Sequence, residues 1–278
     1  MLGVIAVLLV FILALMIAYA LALAPASRKH ALTGEIKKYR YAHRGLFSRE
    51  KGIPENSLAA FKAAIDNGYG FELDIHLTAD KKLVVIHDGS LKRTAGADVC
   101  VYTSTYEEIS AYSLEGTNEK VPLFEDVLKL NGGKTPMIIE LKVDKSNADA
   151  LVCAVLEELR GYEGLYCIES FYPDALISLK KRAPDIMRGQ LSCNVRREDK
   201  TFSKIKNFVL KNLLTNFITK PDFIAYAHED RELYSVSLCR GLYHPVEFYW
   251  TVRDEKMLAV TEKAGAGVIF DSFVPISK

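Results

Sequence analysis

The chain opens on a stretch without a charged position, Leu2 to Ala24, and beyond Pro25 it changes to short apolar runs that alternate with helical periodicities. As a helix the first stretch would be about 35 Å long, enough for the roughly 30 Å hydrocarbon core of a bilayer. It reads as a transmembrane helix. A signal peptide cleaved near Ala22-Leu23-Ala24 is the rival, and the long apolar run without a basic leading region speaks against it. Residues from Pro25 to about Lys38 read as a short polar tether, and 39–278 as one domain.

Within that domain the apolar runs of strand length are Tyr39 to Leu46, Gly70 to Leu77, Met137 to Lys142, Leu165 to Ser170, Ile186 to Leu191, Asp222 to Ala227, Val246 to Thr251 and Gly267 to Phe270, with a short extra run at Leu83 to Ile86. Helical patterns fall between them: Asn56 to Asn67, Leu123 to Leu130, Asn147 to Arg160, Pro173 to Arg182, Glu198 to Leu214, Glu229 to Arg240 and Asp254 to Lys263. Strands alternating with helices predict βα units and a mostly parallel sheet. Eight such units predict an α/β fold of the closed (β/α)8 barrel type, with a doubly wound open sheet as the alternative.

Composition narrows this only slightly. Lysine plus arginine nearly equals aspartate plus glutamate, leaving a net charge of +1, so no global field recruits nucleic acid and any anion binding must be local. The basic residues do matter by position. Nothing basic precedes the apolar span, whereas Arg28, Lys29, Lys37, Lys38 and Arg40 follow it, and positive flanks stay cytoplasmic. The expected location is therefore the cell membrane, single-pass, with the body in the cytoplasm. The five cysteines are an odd, widely spaced set without a CxxC pair, which argues against a disulfide framework or a zinc knuckle and for free thiols in a reducing compartment.

The chemistry-bearing residues gather at the C-terminal ends of the expected strands, where a barrel places its active site. His43-Arg44 closes the first. Glu72 and Asp74 alternate along the second and so share one face, and Glu140 and Lys142 repeat that spacing on the third. Three carboxylates converging from two strands suit a hard divalent cation, Mg2+ or Ca2+, better than zinc. His87-Asp88 follows the run Val84-Val85-Ile86. Two histidines beside a carboxylate-held metal suit phosphodiester cleavage, one taking the proton of the attacking oxygen and the other protonating the leaving alkoxide. Arg44 and the metal would neutralise charge developing on the phosphate.

The motifs His43-Arg44-Gly45, Pro54-Glu55-Asn56-Ser57, Glu72-Leu73-Asp74, Val85-Ile86-His87-Asp88 and Leu91-Lys92-Arg93-Thr94-Ala95-Gly96 come in that order. Pro122 to Leu128, Glu140-Leu141-Lys142, Glu169-Ser170-Phe171, Trp250-Thr251-Val252 and Asp271 follow. From about Tyr41 onward the chain resembles the glycerophosphodiester phosphodiesterase family. The resemblance implies a TIM-type barrel with a small insertion after the second strand, here about His87 to Val121. It implies His43 and His87 as the catalytic pair, and Glu72, Asp74 and Glu140 as metal ligands. It further implies Arg44, Lys142, Phe171 and Trp250 at the substrate. The family hydrolyses a glycerophosphodiester to glycerol 3-phosphate and an alcohol, and a neighbouring glycerol hydroxyl as first attacker fits the absence of a GxSxG elbow. Arg253 and Phe270 stand where family members often carry asparagine and threonine, and both are expected near the pocket rim.

Plainer roles are expected elsewhere. His30, His228 and His244 read as surface or core histidines, whereas His76, at strand spacing from Asp74, could reach the site. Glu72, Asp74 and Glu140 could instead form a structural ion-pair network with Arg44 and Lys142. Glu55 and Asn56 could contribute to the site, although Asn56 also stands where a helix cap is needed, with Ser57 assisting. Asn131-Gly132-Gly133-Lys134-Thr135 lacks the earlier glycine of a phosphate loop and reads as a helix-ending turn. Phe202, Ile205, Phe208, Val209, Leu213 and Phe217 form an apolar stripe among Lys204, Lys206 and Lys211, expected as an outer barrel helix rather than a membrane-surface one. Two further functional readings stand beside the diesterase: lysophospholipase D-type cleavage of lysophospholipids held in the bilayer by the N-terminal anchor, and a non-catalytic, membrane-tethered phosphodiester-binding protein.

Overall fold

The computed structural model describes residues 2–144, 147–195 and 203–275. In chain order α1 (Leu2–Ala22) and α2 (Thr33–Ile36) precede β1 (Arg40–Ala42), α3 (Leu58–Asp66), β2 (Gly70–Leu77) and the short β3 (Leu83–Val85). An insertion carrying α4 (Lys92–Ala95) and α5 (Tyr106–Ser110) leads to α6 (Phe124–Asn131), β4 (Met137–Leu141), α7 (Ala148–Glu158), β5 (Tyr166–Ser170) and α8 (Pro173–Arg182). The chain finishes with β6 (Arg188–Ser192), α9 (Lys204–Lys211), α10 (Asn216–Thr219), β7 (Phe223–Ala227), α11 (Tyr234–Tyr243), β8 (Val246–Val252), α12 (Glu255–Lys263) and β9 (Gly267–Phe270).

Eight of these strands are parallel and close into a barrel, because β1 pairs with β2 on one side and with β9 on the other. Only β3 is antiparallel, lying against the last residues of β2 with Ile75 opposite Val85. The closed (β/α)8 barrel is thus the one the alternating pattern predicts, and the insertion lies where it was expected.

Alternation along each strand separates two cores. Phe71, Leu73 and Ile75 of β2, Met137, Ile139 and Leu141 of β4, and Val268 and Phe270 of β9 face the helices. Tyr41, Ile138, Cys167, Met187, Phe223, Phe248 and Ile269 point inward and fill the barrel. This inner layer is crowded with rings: Phe223 and Phe248 meet edge to face at 5.2 Å, and Tyr41 meets Phe248 at 6.0 Å. Gly189 and Gly267 make room for it, since a Cβ at either would strike the ring of Phe223 or Phe248. Above that apolar plug the inward positions change to charge.

The N-terminal segment departs from expectation. Residues 25–38 do not hang free between span and barrel; they are folded onto it. Arg28 holds the buried carboxylate of Asp222 at 2.7 Å, Ala26 N–H donates to Pro221 O, and the buried Ile36 accepts the Tyr41 hydroxyl on its carbonyl at 2.8 Å. The reason lies in apolar residues scattered through a polar-looking stretch: Leu32 and Ile36 pack with the plug, and Tyr39 just beyond them does the same. The stripe on α9 departs as well. Of its members Leu213 is buried against the barrel, but Ile205, Phe208 and Phe217 are exposed, so only part of the stripe faces inward. Phe202 and the start of the Glu198 to Leu214 helix lie outside the described residues.

Candidate active site

One rung of the barrel sets the site. The strand registers place Asp74 beside Glu140, and Glu140 beside Glu169, so inward carboxylates from β2, β4 and β5 stand at one height. Glu72 lies one inward step below Asp74, as the two-residue spacing requires. Oxygen atoms of Glu72, Asp74 and Glu140 all come within 4.8 Å of one another. All four carboxylates are buried.

Two cations answer them. Lys142 Nζ bridges Asp74 at 2.9 Å and Glu140 at 2.8 Å. Arg44 donates its backbone N–H to Glu72 at 2.9 Å and its guanidinium to Glu55, with Asp74 at 3.6 Å. Burial tends to raise the Asp74 pKa, but Lys142, His87 and Arg44 hold it well below the ordinary carboxylate value. The others go the opposite way. Burial, then the charges of Asp74 and Glu140, push Glu72 well above its ordinary value; burial, then Glu140, does the same to Glu169; and burial lifts Glu140 to about 7 against the pull of Lys142.

Such a nest is short of positive charge. Among the described residues no donor reaches Glu72 Oε1 or Glu169 Oε2, although both oxygens are buried, and a buried carboxylate oxygen without a partner is costly. The donor set is all oxygen and clustered, which fits a hard divalent cation held by Glu72, Asp74 and Glu140. Lys142 and Arg44 do form the ion-pair network weighed as the structural alternative, and Glu72 Oε1 and Glu169 Oε2 lie outside its hydrogen bonds.

The two histidines stand over it in the same way. His43 N–H is bonded to Phe270 O, and its ring Nδ1 lies 3.0 Å from Asp271, with Nε2 4.0 Å from Glu72. His87 Nδ1 lies 2.6 Å from Asp88, which Arg93 fixes in turn. A carboxylate on Nδ1 selects the tautomer with a proton there and leaves Nε2 as the reactive nitrogen. Burial, then the charge of Arg44, pushes His43 down to about 4; burial, then Lys142, lowers His87. Both shifts favour the neutral imidazole.

His43, Arg44, Glu72, His87, Glu140, Lys142, Phe171 and Trp250 all line one cavity of about 400 Å³. Asp74 is not part of that lining but is paired to Lys142, which is. The other wall is apolar, with Leu191, Cys193, Val195 and Ile269, and Phe171 meets Trp250 edge to face at 5.7 Å. His30, His228 and His244 lie outside that lining. His76 lines it, but its Nε2 faces the His87 carbonyl at 3.1 Å, so it supports the neighbouring histidine from below.

Some roles differ from the sequence reading. Ser57, not Asn56, caps α3, accepting from Ala60 N–H. Asn56 instead turns inward at φ +53° and donates to Asp74 at 2.8 Å. Phe270 is not at a rim: it falls between the inward Ile269 and Asp271 and is buried among the helices with Tyr69 and Phe273. Arg253 is at the surface and reaches Asp271 at 3.2 Å. Glu169, Asp88 and Asp271 have roles that the sequence reading does not assign. For Glu169 the signal existed, since it ends its strand as Glu140 ends the one before. Glu55, weighed as a contributor to the site, joins Arg44 to Arg93 of the insertion.

Comparison with known proteins agrees with this geometry. The model of the glycerophosphoryl diester phosphodiesterase family matches residues 43–273. A glycerophosphodiester phosphodiesterase of Caldanaerobacter subterraneus is 35% identical over 162 residues, 54% of this chain and 65% of that one. A lysophospholipase D of Rattus norvegicus is 33% identical over 148 residues, 48% of this chain and 46% of that protein. The barrel is also similar to that of an Oleispira antarctica phosphodiesterase solved with sn-glycerol-3-phosphate, with a TM-score of 0.70 at 21% identity, covering 86% of this chain and 95% of that one.

Proposed function

The chain belongs to the glycerophosphoryl diester phosphodiesterase family and is an enzyme of that kind, and from this premise we propose that its pocket hydrolyses a glycerophosphodiester to glycerol 3-phosphate and an alcohol by two-histidine acid/base catalysis. The observation that carries the reading is two imidazoles, each backed by a carboxylate on Nδ1, lining one cavity with an oxygen nest. Mg2+ or Ca2+ at Glu72, Asp74 and Glu140 would supply charge neutralisation for the phosphate oxygens. Arg44 and Lys142 hold the phosphate, and Phe171 and Trp250 flank the departing group.

The glycerol hydroxyl beside the ester attacks phosphorus while one Nε2 takes its proton, and the other histidine protonates the leaving alcohol. Water then opens the cyclic phosphate with the two roles exchanged. The depressed pKa values keep the rings neutral and so able to accept a proton, and the negative phosphate, once bound, raises them toward the working pH, where a base accepts and an acid donates most effectively. The full chain in detergent micelles should turn over glycerophosphocholine or glycerophosphoethanolamine with added Mg2+ or Ca2+, and lose that turnover with a chelator. Binding of these diesters without turnover would instead make it a binding protein.

A second reading has its own support. The apolar wall of Leu191, Cys193 and Val195, together with a bilayer-length α1, suits a lysophospholipid, and lysophosphatidylcholine belongs in the same assay. We further propose α1 as a single-pass anchor, with domain limits at 1–24 and 39–278 and the barrel in the cytoplasm. It has 21 residues, a mean hydropathy of 3.1 and no buried side chain. Protease added to intact cells should spare the barrel. A mature form beginning near Pro25, or digestion from outside, overturns this assignment.

A further inference from the structure

The root of α1 is built into the barrel rather than joined to it by a spacer. The Tyr243 hydroxyl donates to Ala20 O at 2.7 Å, and Asn216 of α10 donates to Leu23 O at 3.1 Å. Lys220 donates to Ala24 O at 3.2 Å. Leu23 is wholly buried among Leu213, Ile224, Tyr226, Val236 and Cys239, with Tyr19 packed beside them. The last turn of α1, from Tyr19 to Ala22, therefore lies on α10 and α11.

Length makes this a constraint on the whole molecule. The 21 residues of α1 span about 31 Å, the thickness of a hydrocarbon core of about 30 Å, so the span leaves no helix to spare. Its docked last turn must still lie at the acyl boundary. The surfaces of α10 and α11 that hold it are then at that boundary too, and they carry unpartnered apolar side chains: Phe217 and Ile218, 49% and 41% exposed, and Tyr234 and Leu242, 74% and 49% exposed. Tyrosines at the same level, Tyr19, Tyr234 and Tyr243, are residues that favour the membrane–water interface.

We propose that α10 and α11 form a bilayer-seating surface around the root of α1, with Phe217, Ile218, Tyr234 and Leu242 inserted at the headgroup–acyl boundary. This rests on the reading of α1 as a span, and on no assumption about the chemistry in the pocket. The barrel is then fixed in height against the membrane instead of swinging on a tether.

The test uses the full chain in phosphatidylcholine–phosphatidylglycerol vesicles containing lipid brominated high on the acyl chains, which quenches tryptophan on contact. Phe217→Trp and Tyr234→Trp, each read as emission added to that of Trp250, should be quenched by roughly half or more, as expected of side chains buried about 5–10 Å into the interface. Tyr112→Trp, on the exposed insertion, should not be. Leu9→Trp reports the span itself. Quenching at Leu9→Trp without quenching at Phe217→Trp or Tyr234→Trp overturns the seating surface and leaves the anchor standing. No quenching at Leu9→Trp overturns the anchor reading, and the seating surface with it. Unquenched variants in a dimer that Phe217→Glu disperses would assign the face to a second copy, again overturning the proposal.

Discussion

At the scale of single residues, backbone position decides which histidines and carboxylates have a chemical use. His43 and His87 differ from the chain's other histidines in that each turns Nε2 to the cavity because a carboxylate occupies Nδ1. Replacing either by alanine should lower kcat by about 10²–10⁴-fold with an unchanged circular dichroism spectrum. Asp271→Asn should cost less, about 10–100-fold, because the imidazole stays but loses its orientation. Wild-type rates in either histidine variant would remove the assignment. Sequence spacing made these residues and the carboxylates of β2 and β4 legible, since strand alternation fixes which positions share a face. It could not resolve Asn56 from Ser57, because both are cap-forming types and only the left-handed backbone at Asn56 turns its side chain toward Asp74. Ser57→Ala should therefore cost about 1 kcal/mol of stability without touching kcat. Asn56→Gly keeps the backbone accessible, and should leave stability nearly intact while weakening metal affinity about 10-fold or more. The reverse pattern in denaturation and metal titration would restore Asn56 as the cap.

Secondary elements were legible in proportion to their length and burial. The strands stand within a few residues of their apolar runs, because barrel strands are covered on both sides and apolar side chains alternate between plug and helix layer. The one-turn elements α2, α4 and α10 carry no full period of any pattern, and their positions follow from what they dock against. The docking of the expected tether was hidden for the same reason: two apolar residues, Leu32 and Ile36, in a polar stretch have no period, yet each finds a place on the plug. Helix pairing also sets a titration outside the site. Glu158, half-buried at the end of α7, is raised to about 7 by burial and then by Glu125 of α6. A carboxylate whose folded pKa lies above its unfolded value favours folding fully below about 4.5, and that contribution is lost as pH rises through about 7. Glu158→Gln should thus leave stability nearly unchanged at pH 4 and raise it at pH 8. The gain should be on the order of 1 kcal/mol, reduced from the full shift by solvent at this half-exposed position. Equal denaturation midpoints for variant and wild type at pH 8 would show that Glu158 carries no such penalty.

For the whole molecule, closure of the barrel is what assembles the site, and closure is the one feature no local pattern contains. It takes β1 pairing with β9 to bring His43 to Asp271 across a sequence separation of 228 residues, and the docking of the chain's first helix on its tenth and eleventh is equally non-local. Closure also concentrates charge: among the described residues, Lys142 and Arg44 are the lysine and arginine that answer the buried cluster of Glu72, Asp74, Glu140 and Glu169. A group that binds the folded chain alone stabilises it by mass action, about 2.7 kcal/mol at a hundred times its dissociation constant. The barrel is large, so each kcal/mol moves the Tm by only about 2–4 °C, and saturating Mg2+ or Ca2+ should raise it by roughly 5–10 °C. Chelation should reverse the whole shift. Glu72→Gln, which removes one ligand charge, should lose most of the metal-induced shift while keeping the fold. The full chain in micelles, scanned with metal, with chelator and as the Glu72→Gln variant, separates the two accounts of this cluster. A Tm that ignores both metal and chelator would mean that Lys142 and Arg44 suffice, and that the nest is a structural ion-pair network rather than a cation site.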